Sequence, residues 1–388
     1  MEPGRQFLSP MDMRRKFTET TRPIDFLTGP ADLIASLPGI LGFYPTESVV
    51  IVGLEENPRA PGAYLVGPVM RADLVHASSA TSAVTKLGAK NCTAFYGFVI
   101  TRIPNSDLAR DAMQELEDLR INGRAVIDAC WHLSEVATGT PYTILFESLG
   151  HEHTLIDGWS NGVVASIVSS PTMKPFLKEG ALPAADREEA LSYFEPHTLD
   201  SETRRDVDQL SKLANRHAGI LWERIEGRRA GARGAIDDAC AILTRGEAHP
   251  VIAPDEEFYL GDVFEQESEV VLIAALLSTP GLRDCLIAPC LKNPETAAGV
   301  LLSIGRTFSG TIRANALTIW AMIAFARGLN SWAIAALTTV QDEEPTHSMS
   351  AIMLQILSVS NAQDMIDVIV QTCEEFFNSV VEQHPAPK

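Results

Sequence analysis

Thr101-Arg102-Ile103-Pro104-Asn105-Ser106-Asp107 is the stretch of this 388-residue chain whose residue types come closest to a ligand site. It joins the apolar run Ala94–Ile100 (AFYGFVI) to an amphipathic segment, so that the end of a buried strand meets the start of a helix. Open α/β sheets take their ligands at such strand ends, and the unpaired N–H groups of a first helical turn favour an anion. Arg102 would clamp a carboxylate or phosphate there, with Thr101, Asn105 and Ser106 around it. The competing reading makes Asn105 or Ser106 a helix cap and leaves Arg102 simply exposed, and no glycine-rich cradle accompanies the stretch.

Other groupings carry less chemistry. Gly158-Trp159-Ser160-Asn161-Gly162 spells G-x-S-x-G, and Val163–Ser169 would have to be the helix behind a nucleophile elbow. An elbow needs an acid and a histidine further on. His197 and His217 fall where the pattern is already helical, which favours a Gly-rich turn. His151-Glu152-His153, with Asp157 and His132 as remote helpers, would bind metal only if a strand put both imidazoles on one face. With no committed third and fourth ligand it reads as a solvated loop, so no metal and no other cofactor is assigned. Arg71 and Asp73 read as a structural ion pair at a strand end.

The elements that must position these residues belong to a globular chain, 46% hydrophobic and 21% charged. A formal net charge of −19 argues against a broad DNA- or RNA-binding surface, because such affinity comes largely from Lys and Arg neutralising phosphates. Cys92, Cys130, Cys240, Cys285, Cys290 and Cys373 contain no C-x-x-C pair, and no signal-peptide pattern opens the chain, so a reducing cytoplasm is expected. The longest apolar runs, Val270–Leu277 and Ala316–Ala326, are about half of what crosses a bilayer, so a membrane is not expected as a partner.

Residues 1–22 lack sustained periodicity and read as a flexible arm. An α/β domain is expected over 23–170. It opens with Asp32–Leu54, in which Leu33, Ile34, Leu37, Ile40 and Leu41 fall at helical spacing behind Asp32 as N-cap, with Pro38-Gly39 kinking or ending the first turns. Val49–Val52 has no polar alternation, as in a parallel strand covered on both faces. The loop GFYPTES then lies at the amino end of that strand, away from the ligand edge, and any ligand is expected beyond Leu54. Gly67-Pro68 marks Tyr64–Met70 as an edge strand or bulge. A helix over Ser78–Leu87, the strand Ala94–Ile100, an amphipathic helix over Asn105–Ile121 striped by Leu108, Ala112, Leu116 and Leu119, and strands over Ala125–Cys130 and Tyr142–Phe146 follow. That order predicts a mixed, partly parallel sheet with flanking helices.

From residue 171 to 388 the pattern is all-helical, with helices over Leu199–Leu221, Gly234–Thr244, Phe258–Leu277 and Glu295–Ser303. Ile312–Arg327 and Ser331–Val340, joined by Gly328-Leu329-Asn330, form a tight helical hairpin lined by Ala316, Ala321, Ala324, Ala333 and Ala336. It is tetratricopeptide-like, although stepping about 34 residues finds no second copy. Ser348–Leu357 and Met365–Val381 supply two more helices, and Trp320, Phe325 and Trp332 are candidates for a peptide groove or for core.

Asp32-Leu33-Ile34 through GFYPTESVVIVGL, Arg71-Ala72-Asp73-Leu74, Asp186-Arg187-Glu188-Glu189 leading to Pro196, Arg283-Asp284, and Ala316–Gly328 with its Ala-rich sequel occur together and in this order. The chain from about residue 25 to 360 thereby resembles an uncharacterised bacterial family, domain of unknown function 4192. That resemblance implies no activity. What the residues themselves favour is a non-enzymatic scaffold or regulatory protein, with a protein partner or self-association through the helical domain. The alternative is a small-molecule enzyme or sensor holding an anionic ligand in a pocket of Thr101, Arg102 and the residues after Leu54.

Overall fold

A computed structural model describes residues 29–57, 64–87, 92–148, 158–227, 232–245, 248–254, 257–357 and 362–383. The expected arm over 1–22 lies outside the described residues, as do His151, His153 and Asp157. The chain divides into two compact units. One runs to Lys174 and includes Pro183–Arg187; the other comprises Pro175–Leu182 and everything from Glu188 onward.

The first unit begins with α1 (Pro30–Leu41). Pro30 starts the helix, where its missing N–H costs nothing, so Asp32 sits inside the first turn and is not the cap. The helix runs through Pro38 and stops at Gly42, whose φ of 81° lets its N–H reach the Pro38 carbonyl. Gly39 is fixed by packing: a Cβ there would lie 2.6 Å from the Thr172 carbonyl oxygen.

Strands β1 (Ser48–Glu56) and β2 (Tyr64–Asp73), helix α2 (Ala77–Leu87), strand β3 (Cys92–Ile100), helix α3 (Asp107–Asp118), the short strands β4 (Arg120–Ile121) and β5 (Arg124–Ala125), and strands β6 (Ala129–Leu133), β7 (Pro141–Glu147) and β8 (Asn161–Val163) follow. The main sheet has the order β2-β1-β3-β6-β7-β8. Among the described residues its parallel strand pair is β3 with β6, joined through α3. The sheet is mixed and partly parallel.

Strand β1 corrects one expectation. It is antiparallel to both β2 and β3, and its residues Val49–Val52 are all 0% exposed because the strand is central and covered on both faces. Apolar continuity reports burial, not strand direction. β2 is an edge strand, and its register against β1 slips across Gly67-Pro68. The helix expected over Asn105–Ile121 ends at Asp118, because Asn122 (φ 53°) and Gly123 (φ 77°) turn the chain into the β4–β5 hairpin. Its buried stripe is Ala109, Ala112 and Leu116, whereas Leu108 is exposed. Beneath the sheet Val49, Ile51, Val99, Leu116 and Ile127 share one core; Phe98 stacks on Trp131, whose indole N–H donates to the Trp159 carbonyl at 2.8 Å.

The second unit is helical. The chain enters it through α4 (Lys174–Glu179) and α5 (Arg187–Ser192), then forms α6 (Ser201–Glu226), α7 (Ala232–Arg245), α8 (Leu260–Val263), α9 (Glu267–Leu277), α10 (Pro280–Lys292), α11 (Pro294–Thr307), α12 (Gly310–Ala326), α13 (Asn330–Glu343), α14 (Ser348–Leu357) and α15 (Ala362–Gln383). The single helix expected over Phe258–Leu277 is two, since Phe264 and Gln266 are extended. α12 and α13 make the expected hairpin, with Gly328 at φ 79° in the turn and Ala316, Ala321, Ala324, Ala333 and Ala336 fully buried. Trp320 and Trp332 are buried against Tyr193 and Phe194, and Phe325 is buried as well, so the three belong to the core.

Among the described residues no single helix is long and apolar enough to cross a membrane. α9 and α10 pass that test only as a pair bent by 110°, and their apolar side chains are buried in the unit.

Candidate functional site

The parallel pairing of β3 and β6 brings the carboxyl ends of both strands to one edge of the sheet. The antiparallel pairing of β1 sets Ser48 opposite Ile100, so GFYPTES arrives at that same edge. Leu54 lies opposite Ala94, six residues back and roughly 20 Å away along the strands. Thr101 and the residues after Leu54 therefore face opposite edges and cannot line one pocket. What meets Thr101 and Arg102 is Glu47.

Glu47 holds a left-handed backbone, φ 41°, uncommon for a residue with a side chain. Its carboxylate accepts the Thr101 hydroxyl at 2.6 Å and the Arg102 N–H at 3.0 Å. Thr101 itself is fully buried, accepts the Ile103 N–H at 3.1 Å, and offers its carbonyl to His132 Nε2 at 3.0 Å. The Arg102 guanidinium, mostly in solvent, pairs with Glu135 at 2.5 Å. The donors expected to hold an anion thus hold the chain's own carboxylates.

Of the remaining expected residues, Ser106 is the cap of α3: its hydroxyl accepts the Ala109 N–H at 3.1 Å. Asn105 offers its carbonyl to the Arg110 guanidinium at 2.6 Å. Arg71 sits at the same edge, pairing with Asp73 at 2.6 Å, donating to Ser48 Oγ at 2.9 Å and lying over the Phe43 ring. Burial depresses its pKa more than Asp73 raises it. The chain segment carrying Ala184 returns to this loop, where Gly42 and Tyr44 exchange backbone hydrogen bonds with Ala184 at 2.8 and 3.1 Å.

The other groupings do not assemble. Ser160 precedes strand β8, not a helix; its hydroxyl is buried and has no hydrogen-bond partner among the described residues, so none of them is a base placed to activate it. Among the described residues no group of three or more His, Cys, Asp and Glu is placed to hold a metal ion. Burial pushes the thiols of Cys240 and Cys373 up to about 11 and that of Cys285 to about 12, which leaves them protonated and poorly nucleophilic.

The helical unit contains polar groups that the sequence did not single out. Arg313, 2% exposed, chelates Glu343 through Nε and Nη2 at 2.6 and 2.7 Å and donates to the carbonyls of Gly305 and Phe194. Arg327 pairs with Glu179 at 2.7 Å, whose other oxygen accepts the Val251 N–H. Arg283 pairs with Asp284 and donates to Asn315, which also meets His347. The only legible trace was the dipeptide Arg283-Asp284. Nothing in a lone Arg or Asn on an apolar helix announces such a partner.

A mixed sheet with its strand-end loops closed by internal carboxylates, followed by a helical unit, defines the class: a two-unit α/β and α protein. A family model described as domain of unknown function (DUF4192) matches residues 30–361, and the chain belongs to that family. No curated protein and no solved structure matches the chain.

Proposed function

We propose that this protein is non-enzymatic and works by contact with another protein, through the outer face of its last helices. The observation that carries this reading is a set of apolar side chains in water. On α15, Met365 is 40% and Val368 63% exposed one turn apart on one helix face. Ile352 of α14 and Ile334 of α13 are also exposed. Helical pairs bury such faces against a neighbour, and end helices that stand alone carry polar ones. Sedimentation velocity over a range of concentrations tests the self-association form of this reading. Val368→Asp and Met365→Asp should each reduce an association seen in the wild type. A wild-type chain that stays monomeric and retains no partner from a lysate removes the reading.

A second reading is supported by the Glu47 contacts: Thr101 Oγ–H and Arg102 N–H do hold a carboxylate. A small carboxylate or phosphate would bind there by displacing Glu47. Thermal shift with acetate and phosphate tests it, and a shift that survives Arg102→Ala and Thr101→Val assigns the binding elsewhere.

A further inference from the structure

His347 precedes α14 and is hydrogen-bonded to Asn315 of α12, Gln341 of α13 and Ser350 of α14. Its Nε2 lies 3.0 Å from Asn315 Oδ1, and the Asn315 amide is oriented by two other bonds: Nδ2 donates to the Leu277 carbonyl at 2.8 Å, and Oδ1 accepts Arg283 Nη1 at 2.9 Å. Oδ1 can only accept, so Nε2 carries the hydrogen. The other ring nitrogen, Nδ1, faces the Ser350 N–H at 3.3 Å and the Ser350 hydroxyl at 2.8 Å. Gln341 Nε2 donates to that hydroxyl at 2.7 Å and to the His347 carbonyl at 2.9 Å. The backbone N–H at Ser350 has no alternative role as acceptor. In the neutral imidazole Nδ1 accepts that N–H, and the Ser350 hydroxyl, which also lies 3.1 Å from the His347 carbonyl, donates to one or the other.

We propose that His347 is a pH-sensitive latch that holds the last two helices, α14 and α15, on the helical unit. A proton on Nδ1 removes the acceptor of the Ser350 N–H, leaves only the Ser350 hydroxyl oxygen to receive it, and adds a cation to a pocket that already contains Arg283. Among the described residues the charge that acts on His347 is Arg283 of α10, with Asp284 as its partner; Glu344, beside His347 in sequence, contributes its carbonyl, which accepts the His347 N–H. α12, α13 and α14 contribute the neutral Asn315, Gln341 and Ser350, and α15 brings Cys373 to the Arg283–Asp284 pair. Asp284 pairs with Arg283, with Oδ1 accepting Nε at 2.9 Å and Nη2 at 2.6 Å.

Burial first, and the Arg283 charge second, hold the His347 pKa below its ordinary value. The unfolded chain then binds the proton more readily than the folded one. The latch is closed above the ordinary histidine value of about 6.5 and opens as the pH falls from there through the lower folded value. What it releases is the contact of Met353 and Ile356 of α14 and Ile366 of α15 with the core.

Hydrogen exchange on the full-length protein near pH 7.5 and pH 5.5, corrected for intrinsic rates, straddles the free-histidine value of about 6.5. Amides of α14 and α15 should exchange several-fold faster at the lower pH, while those of α12 do not. His347→Gln retains an N–H donor and an oxygen acceptor but does not titrate, and should abolish the difference. Imidazole 15N shifts of the wild type should show the Nε2–H form at neutral pH and a midpoint below that of free histidine. An undiminished pH effect in His347→Gln overturns the latch. So does a His347 midpoint at or above the free value, which decides the matter even if the variant does not fold.

Discussion

The edge of the sheet unit and the interior of the helical unit both hold charged side chains against backbone groups, but under opposite conditions. At the sheet edge Glu47 is exposed and Arg102 is 73% exposed, so each can trade its partner for water. Inside the helical unit Arg313 is 2% exposed and its two carbonyl partners have no water to turn to. Contacts of similar length therefore differ in consequence. The exposed site can open for a ligand or rearrange at little cost, while the buried one holds the fold.

Replacing Arg313 with Met should be the largest effect, destabilising by about 3 kcal/mol in chemical denaturation, because the Gly305 and Phe194 carbonyls lose their buried donor together, while Glu343, 41% exposed, turns to water. A loss below about 1 kcal/mol would mean that water enters and would erase the contrast with the sheet edge. Thr101→Val comes next. It keeps the shape of a fully buried side chain and removes the hydroxyl between Glu47 and the Ile103 N–H, for roughly 1–2 kcal/mol.

Glu47 sharpens the comparison through a pair of variants. Glu47→Ala loses both hydrogen bonds and keeps the left-handed backbone, whereas Glu47→Gly loses the same bonds and relieves the φ of 41°. The glycine variant should be more stable than the alanine variant by about 1 kcal/mol, the strain relieved less the extra backbone entropy glycine loses on folding. The smallest effect belongs to Arg102→Ala, within about 0.5 kcal/mol, since its pair with Glu135 stands in solvent. A larger loss would mean that Arg102 does more than its exposure suggests.

Much of the architecture was legible in the sequence because it rests on short-range pattern. Ser348–Leu357 forms the helix expected from its apolar spacing, and the Gly328 turn closes the Ala-rich hairpin where small residues demand it. Some legible signals carried more than was drawn from them. Asn122-Gly123 is a strong local signal for a two-residue hairpin, and it ends α3 three residues before the expected boundary. α10 was not among the expected helices; Pro280 sits at its start, where the missing N–H costs nothing, and Pro289 is accommodated within it.

The strand-end residues were a mixed case. Ser106 as a cap follows from its type and place before Asp107, so the local half of that reading needed nothing beyond the chain itself. Glu47 lies 54 residues from Thr101, and no spacing rule links them.

By itself the sequence determined what local forces decide: which segments are helices and strands, which faces are apolar, where turns need glycine, and that a sheet-bearing half precedes a helical one. Only the tertiary structure decided the direction of β1, because an apolar strand is equally content beside parallel or antiparallel neighbours, and hydrogen-bond pairing alone distinguishes them. With that direction came the meeting of Glu47 with Thr101 and Arg102 at one edge, and the exclusion of the residues after Leu54 from it. Partner choice among buried polar groups was settled in the same way. Arg313 with Glu343, and Arg283 with Asn315 and His347, find each other only once the helices pack, since desolvation is what makes each such group require a partner.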